Sequence, residues 1–110
     1  MSYKIVYTEE SEKDLVNVYS YIAMDLLVPE TAKNQINRIM KAIKDLDTLP
    51  FRHKLYQNKP WHSKGLRVLP VDNYLVFYTV IKEKNTVAII RIMYAGRNID
   101  LQLSNTQKMD

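Results

Sequence analysis

At 110 residues the chain fits one domain, 1–110, and leaves no room for a second independent core. Its 46% hydrophobic and 25% charged residues are those of an ordinary soluble globular protein, and the lack of cysteine excludes structural disulfides, thiolate catalysis and a Cys-ligated zinc. The net charge of +4 is unevenly spread, −2 over Met1–Asp47 and +6 over Thr48–Asp110. No carboxylate lies between Asp47 and Asp72, the stretch that holds Arg52, Lys54, Lys59, Lys64 and Arg67 with both histidines and the only tryptophan. Such a field suits an anionic partner, nucleic acid or an acidic protein segment, unless the stretch is simply a solvated basic loop. The opening residues carry no charged-then-apolar leader, and no apolar run approaches the ~18 residues that cross a bilayer. The expected setting is the cytoplasm, with no membrane involved.

Tyr3–Tyr7 (YKIVY) is aromatic and β-branched and predicts a first strand. Thr8 can cap a helix whose first turn holds Glu9, Glu10 and Glu12. Leu15, Val18, Tyr19, Ile22 and Leu26 then follow at helical spacing as one apolar stripe. Pro29 fits the first turn of a second helix with the stripe Ala32, Ile36, Ile39, Met40, Ile43 and Leu46, which Pro50 ends. A short turn between the two makes an antiparallel helical hairpin. From Phe51 to Gly65 no period holds, and a basic loop is expected. Leu66–Val71, Tyr74–Ile81 and Thr86–Tyr94 then read as three strands, with Pro70 marking a bulge or an edge, Asp72-Asn73 the first turn and Lys82–Asn85 the second. From Asn98 onward the tail, 98–110, is polar and expected to be loosely held. The fold class is α+β: a strand, the hairpin, then a three-stranded antiparallel meander. The helices cover one face of the sheet, and the other face is left for solvent or a ligand.

With the elements in this order, GLRVLPVDNYLVFYTV followed by VAIIRIMYAGRNID resembles the C-terminal half of RelE/ParE toxins. YKIVYTEESEKDLVNVYSYI with PETAKNQINRIMKAIKDL resembles the ParE hairpin, so the likeness spans about Tyr3 to Asp100. It rests on the order of elements and on Leu66-Arg67, Asn73-Tyr74, Phe77-Tyr78, Arg91 and Gly96-Arg97 together. The resemblance implies the toxin of a bacterial type II toxin–antitoxin pair, partnered by an antitoxin with an acidic amphipathic segment and compatible with a heterotetramer. It implies one of two targets: DNA gyrase, as in ParE, or the ribosome and its mRNA, as in RelE and YoeB. A plain RNA-binding module without turnover is a third reading.

Ribonuclease chemistry needs a base for the ribose hydroxyl, cations for the phosphate and an acid for the leaving oxygen. By the resemblance Arg67 and Arg97 would be the cations, with Tyr94 as a catalytic hydroxyl; Lys64 could add a point charge. Lys64, Arg67, His62, Trp61 and Arg97 are the candidate contacts to nucleic acid or antitoxin. His62 beside Trp61 offers an acid–base group next to a stacking platform, although a Pro-Trp anchor would look the same. Arg67 could instead pair with Asp72, His53 reads as a surface residue, and Arg91 as a sheet residue reaching a carboxylate on a helix. The RelE catalytic set is incomplete: Leu75 stands where RelE has an arginine, and no tyrosine follows Arg97. That tilts the reading towards ParE, which does no chemistry of its own. No carboxylate stands at metal-ligand spacing from the histidines, so neither metal nor cofactor is expected.

Overall fold

The computed structural model describes residues 2–106. Strand β1 (Lys4–Tyr7) leads directly into helix α1 (Glu9–Ser20). Thr8 makes the junction: its hydroxyl oxygen accepts from the Ser11 amide at 3.1 Å and donates to the Ile90 carbonyl at 3.1 Å, so one side chain both caps the helix and ties it to the sheet. Three glutamates in the first turn complement the helix dipole. The helix widens into a π-helical turn, Tyr21–Asp25, and the chain reverses through Leu27, whose φ of 58° lies in the left-handed region. Pro29 opens α2 (Pro29–Lys44), which ends in a 3₁₀ turn at Asp45–Asp47, ahead of Pro50 and not at it.

Strands β2 (Arg67–Val71), β3 (Tyr74–Ile81) and β4 (Thr86–Tyr94) form the expected meander. The sheet order is β1-β4-β3-β2, with β1 parallel to β4 and the other pairs antiparallel. A parallel neighbour requires a crossover, and the helical hairpin supplies it. Ile90 is an extra residue in β4, opposite the step from Phe77 to Tyr78. This bulge sets Arg91 and Met93 on the face opposite the helices. On the helical face, Ala32, Ile39, Ile43 and Leu46 are fully buried against Val76, Tyr78, Val87 and Ile89. Each large side chain buried there contributes roughly 1.5–3 kcal/mol. Three stripe residues, Tyr19, Leu26 and Met40, stay exposed.

The opposite face of the sheet is not open, and here the structure corrects the sequence. Trp61, Leu66, Phe77, Ile90, Met93 and Leu103 form a second apolar cluster beneath the basic loop and a helix, α3 (Ile99–Ser104). The loosely held tail expected from Asn98 is thus ordered over this helix: Asn98 caps it by accepting from the Leu101 amide, and Leu103 is fully buried. Residues 107–110 of that tail lie outside the described residues. The outer edge of β2 is half-covered. Leu55 bridges Arg67, and the loop exchanges hydrogen bonds with Leu66 and Val68. The next outward-facing position is Pro70, which has no N–H to offer, so the edge reading of that proline holds.

Candidate functional site

The site begins where β1 stops. Its pairing with β4 ends at Tyr7 opposite Ile89, so β4 runs on to Tyr94 with no strand on that side. Asp14, one turn into α1, takes the place of a strand partner: its carboxylate accepts from the Ile92 amide at 2.8 Å. The same carboxylate receives Arg91 through Nε at 2.7 Å and Nη2 at 3.0 Å, a two-pronged ion pair whose side chains are each only 11% exposed. The remaining arm of Arg91, Nη1, donates to the Gln102 carbonyl and the Thr106 hydroxyl. One guanidinium therefore joins α1, β4 and the end of α3. The Asp14 hydrogen bonds, more than any other influence, push the Arg91 pKa above its ordinary value.

Above this pair a groove of about 630 Å³ runs between the helical hairpin and the end of β4. Val18, Ile22, Leu26 and Val28 line one side, and Tyr74, Tyr94 and Arg97 the other. Tyr74 and Tyr94 are register partners across β3 and β4 and meet edge to face with centroids 5.9 Å apart. Burial, with Tyr21 and Tyr94 close by, raises the Tyr74 pKa. A Cβ at Gly96 would meet the Tyr94 ring, so a larger residue there would oblige that half-exposed ring to move. Tyr94 is half exposed and Arg97 exposed, and among the described residues the Arg97 side chain meets no carboxylate. The groove opens onto the tip of the hairpin, where Met24 and Leu27 are among the most exposed apolar side chains described.

Two of the candidate residues, Tyr94 and Arg97, are thus brought together. Arg67 is not with them. It pairs in register with Tyr78, four residues from the Tyr74–Tyr94 pair, or about 13 Å along the strand. Its Nη1 donates to the Phe51 and His53 carbonyls at 3.2 and 2.7 Å, and its guanidinium lies 5.1 Å over the Phe51 ring. The alternative pairing of Arg67 with Asp72 is also overturned. Asp72 accepts from Arg38 Nε at 2.7 Å and Gln35 Nε2 at 3.0 Å, which hold its carboxyl below the usual range and tie α2 to the β2–β3 turn. Trp61 is the anchor of the loop, seated in the second apolar cluster, with its ring edge towards Tyr56. His62 and Lys64 project from the loop as exposed residues on the far side of the sheet from the groove.

His53 departs from the expected surface residue. Its ring stands edge-on to Tyr78, and its Nε2 is buried without a hydrogen-bond partner among the described residues. Burial first, then Arg52, lowers its pKa from the ordinary 6.5. Protonation therefore favours the unfolded chain, so stability is full above about pH 6.5 and falls as the pH drops through and below that value. The thermal midpoint should decline from pH 7 to pH 5 more in the wild type than in His53→Leu. Parallel profiles would refute this.

Residues 5–99 match the family described as the ParE toxin of the type II toxin–antitoxin system parDE. The chain belongs to the ParE toxin family. Comparison with curated proteins returns no match. Among solved structures, the chromosomal ParDE system from P. aeruginosa is similar at 21% identity and a TM-score of 0.68, covering 84% of this chain and 96% of that one. The toxin–antitoxin complex RelBE2 from Mycobacterium tuberculosis is similar at 21% identity and a TM-score of 0.60, covering 86% and 92%. A free RelE toxin mutant from E. coli gives 16% identity and a TM-score of 0.64, covering 93% of each chain. The fold expected from the sequence is thus the fold of RelE/ParE toxins.

In this ParE-family toxin the sequence reading missed two features, one at the groove and one across the sheet from it. Asp14 sits four residues before Val18 and eight before Ile22, so its spacing places it on the buried stripe. A carboxylate at an apolar phase is the signal that could have found it, with Arg91 the cation that answers it. The second is Tyr56, whose hydroxyl donates to Asp100 at 2.7 Å while Asn58 donates to the same carboxylate, latching the loop to α3. Burial, then the Asp100 contact, pushes the Tyr56 hydroxyl up to about 12. Among the described residues no group of three or more His, Cys, Asp or Glu could hold a metal. No described helix is long and apolar enough to cross a membrane.

Proposed function

We propose that this type II toxin arrests growth in the cytoplasm by poisoning DNA gyrase, and that an antitoxin neutralises it by covering the groove between the hairpin and β4. The observation that carries the choice of target is the separation of the candidate catalytic groups. Tyr94 and Arg97 share the groove rim, while Arg67 is occupied by loop carbonyls on the far side of Tyr78. Acid–base cleavage of RNA needs its proton donor, acceptor and phosphate clamp within hydrogen-bond reach of one phosphate. A toxin that works by binding has no such requirement. The antitoxin part of the reading is supported by family membership and by an apolar groove ending in an arginine without a carboxylate.

The test pairs a gyrase supercoiling assay on purified toxin with mapping of mRNA 5′ ends after brief induction of the toxin without its antitoxin. Purified toxin should inhibit gyrase supercoiling and cause cleaved DNA to accumulate, while mapped mRNA 5′ ends stay unchanged. New ends clustered within translated codons, with supercoiling intact, would reverse the assignment and make the protein a ribosome-dependent endoribonuclease.

A further inference from the structure

The basic loop is a built surface. Leu55 bridges Arg67, the Tyr56 amide donates to the Leu66 carbonyl and the Val68 amide to the Lys54 carbonyl, so residues 57–65 leave and rejoin the sheet edge at one place. Within them the His62 amide donates to the Asn58 carbonyl, Lys64 to Trp61 and Gly65 to His62, a compact turn that holds its side chains on a fixed frame. Trp61 is turned inward to pin that frame. Apart from Pro60, what the turn shows to solvent is therefore polar or basic: Gln57, Asn58, Lys59, His62, Ser63 and Lys64. Lys54 stands at its foot, on a cleft of about 580 Å³ along the β2 edge with no acidic residue in its lining. Among the described residues Lys54, Lys59 and Lys64 meet no carboxylate, whereas Arg52 is taken up by the carbonyls of Asp45, Thr48 and Leu49. Asp100, the carboxylate that does touch the loop, is occupied by Tyr56 and Asn58.

We propose that this loop face binds the phosphate backbone of double-stranded DNA through Lys54, Lys59 and Lys64, so that the toxin grips the DNA held by gyrase as well as the enzyme. This rests on the gyrase reading and adds a second contact to it. Three observations select a duplex backbone over other anions. A single strand is held largely by stacking its bases on aromatic rings, and residues 57–65 offer none, because their one ring system, Trp61, is buried. An acidic protein segment would need an apolar anchor or an open strand edge besides charge. The turn exposes no large apolar side chain, and the edge beside it is bridged by Leu55 and lacks an N–H at Pro70. The cations themselves are lysines, compact point charges that suit phosphates and carry no fork for reading bases, with the Gln57 amide and the Ser63 hydroxyl beside them as further donors to phosphate oxygens. The contact is therefore expected to be independent of sequence and strongly dependent on salt.

The experiment measures fluorescence anisotropy of a labelled DNA duplex of about 20 base pairs with the full-length toxin, across a salt series. Three phosphate contacts predict a slope of log affinity against log salt of about −3, a roughly fortyfold loss between about 50 and 200 mM. The combined variant Lys54→Gln, Lys59→Gln, Lys64→Gln should bind the duplex about tenfold or more weaker, with a flatter slope. It should also need correspondingly more protein to make gyrase accumulate cleaved DNA. All three lysines are exposed, so the substitutions leave the core untouched. Duplex binding that is unchanged in the variant, or indifferent to salt, would overturn the proposal. Tighter binding of a single strand of the same length, or of polyglutamate of the same charge, would overturn the choice of a duplex. Weakened duplex binding with gyrase poisoning intact would overturn the part played in poisoning and leave the gyrase reading standing. Lysine-dependent duplex binding by a toxin that leaves supercoiling untouched would support the loop contact and remove the gyrase reading.

Discussion

Asp14→Ala should destabilise the fold by about 3–5 kcal/mol, the usual cost of leaving one partner of a buried ion pair behind. The estimate follows from what the carboxylate holds. It receives two prongs of Arg91 and the Ile92 amide, and alanine would leave a charged group and a backbone donor unsatisfied at once. Chemical denaturation should show a lower midpoint with the slope preserved. Asp14→Asn keeps an acceptor and should lose less. The exposed pair of Lys13 with Glu9 is the internal control, worth at most ~1 kcal/mol. If Asp14→Ala and Glu9→Ala cost the same, the pair contributes no more than a surface contact. The distinction matters for α3: losing Asp14 frees Arg91 to turn from Gln102 and Thr106, so protection of α3 amides should fall along with global stability.

Phe77→Ala is expected to cost about 3–5 kcal/mol and to act unevenly over the molecule. Phe77 is fully buried at the centre of the second apolar cluster, with the Tyr56 ring 5.6 Å away at 88°. The two elements resting on it have little else. The helix α3 spans six residues, too few to persist alone, and the basic loop is held by Trp61, the Leu55 bridge and the Tyr56–Asp100 latch. Hydrogen exchange in the variant should therefore show the loop and α3 opening at lower denaturant than α2, whose contacts lie on the other face of the sheet. Uniform loss of protection across α2, the loop and α3 would mean that the two clusters melt as one.

The hairpin and the meander were legible because each carries a clean period and ends at turn residues: Thr8, Pro29, Asp72-Asn73 and Asn85 all do what their chemistry suggests. The helix α3 was not legible. IDLQLS is short and mostly exposed, and its one buried anchor, Leu103, has meaning only once Phe77 and Met93 lie beneath it. The parallel pairing of β1 with β4 was equally hidden, since it joins segments about eighty residues apart and leaves no local mark. The groove combines both kinds of information. Its apolar wall follows from helical spacing, while its floor depends on where β1 stops and on a single extra residue, Ile90, in β4. Arg67 and Arg97 look equivalent as basic residues beside strands. Only the register separates the one that serves the loop from the one that faces outward.

Pro70 and the Leu55 bridge have a consequence for the toxin while it is free. Sheets that join edge to edge can grow into fibres only when every molecule carries two adhesive edges, one to accept and one to offer. With the β2 side half-covered by the loop and lacking an N–H at Pro70, joining through the β1–β4 side is expected to stop at a two-fold pair, because the other edge is a poor acceptor of a further strand. A toxin released from its partner at high local concentration should therefore remain soluble as single molecules or closed pairs. Light scattering on Pro70→Val, which restores an amide at that edge, should reveal larger species that the wild type does not form.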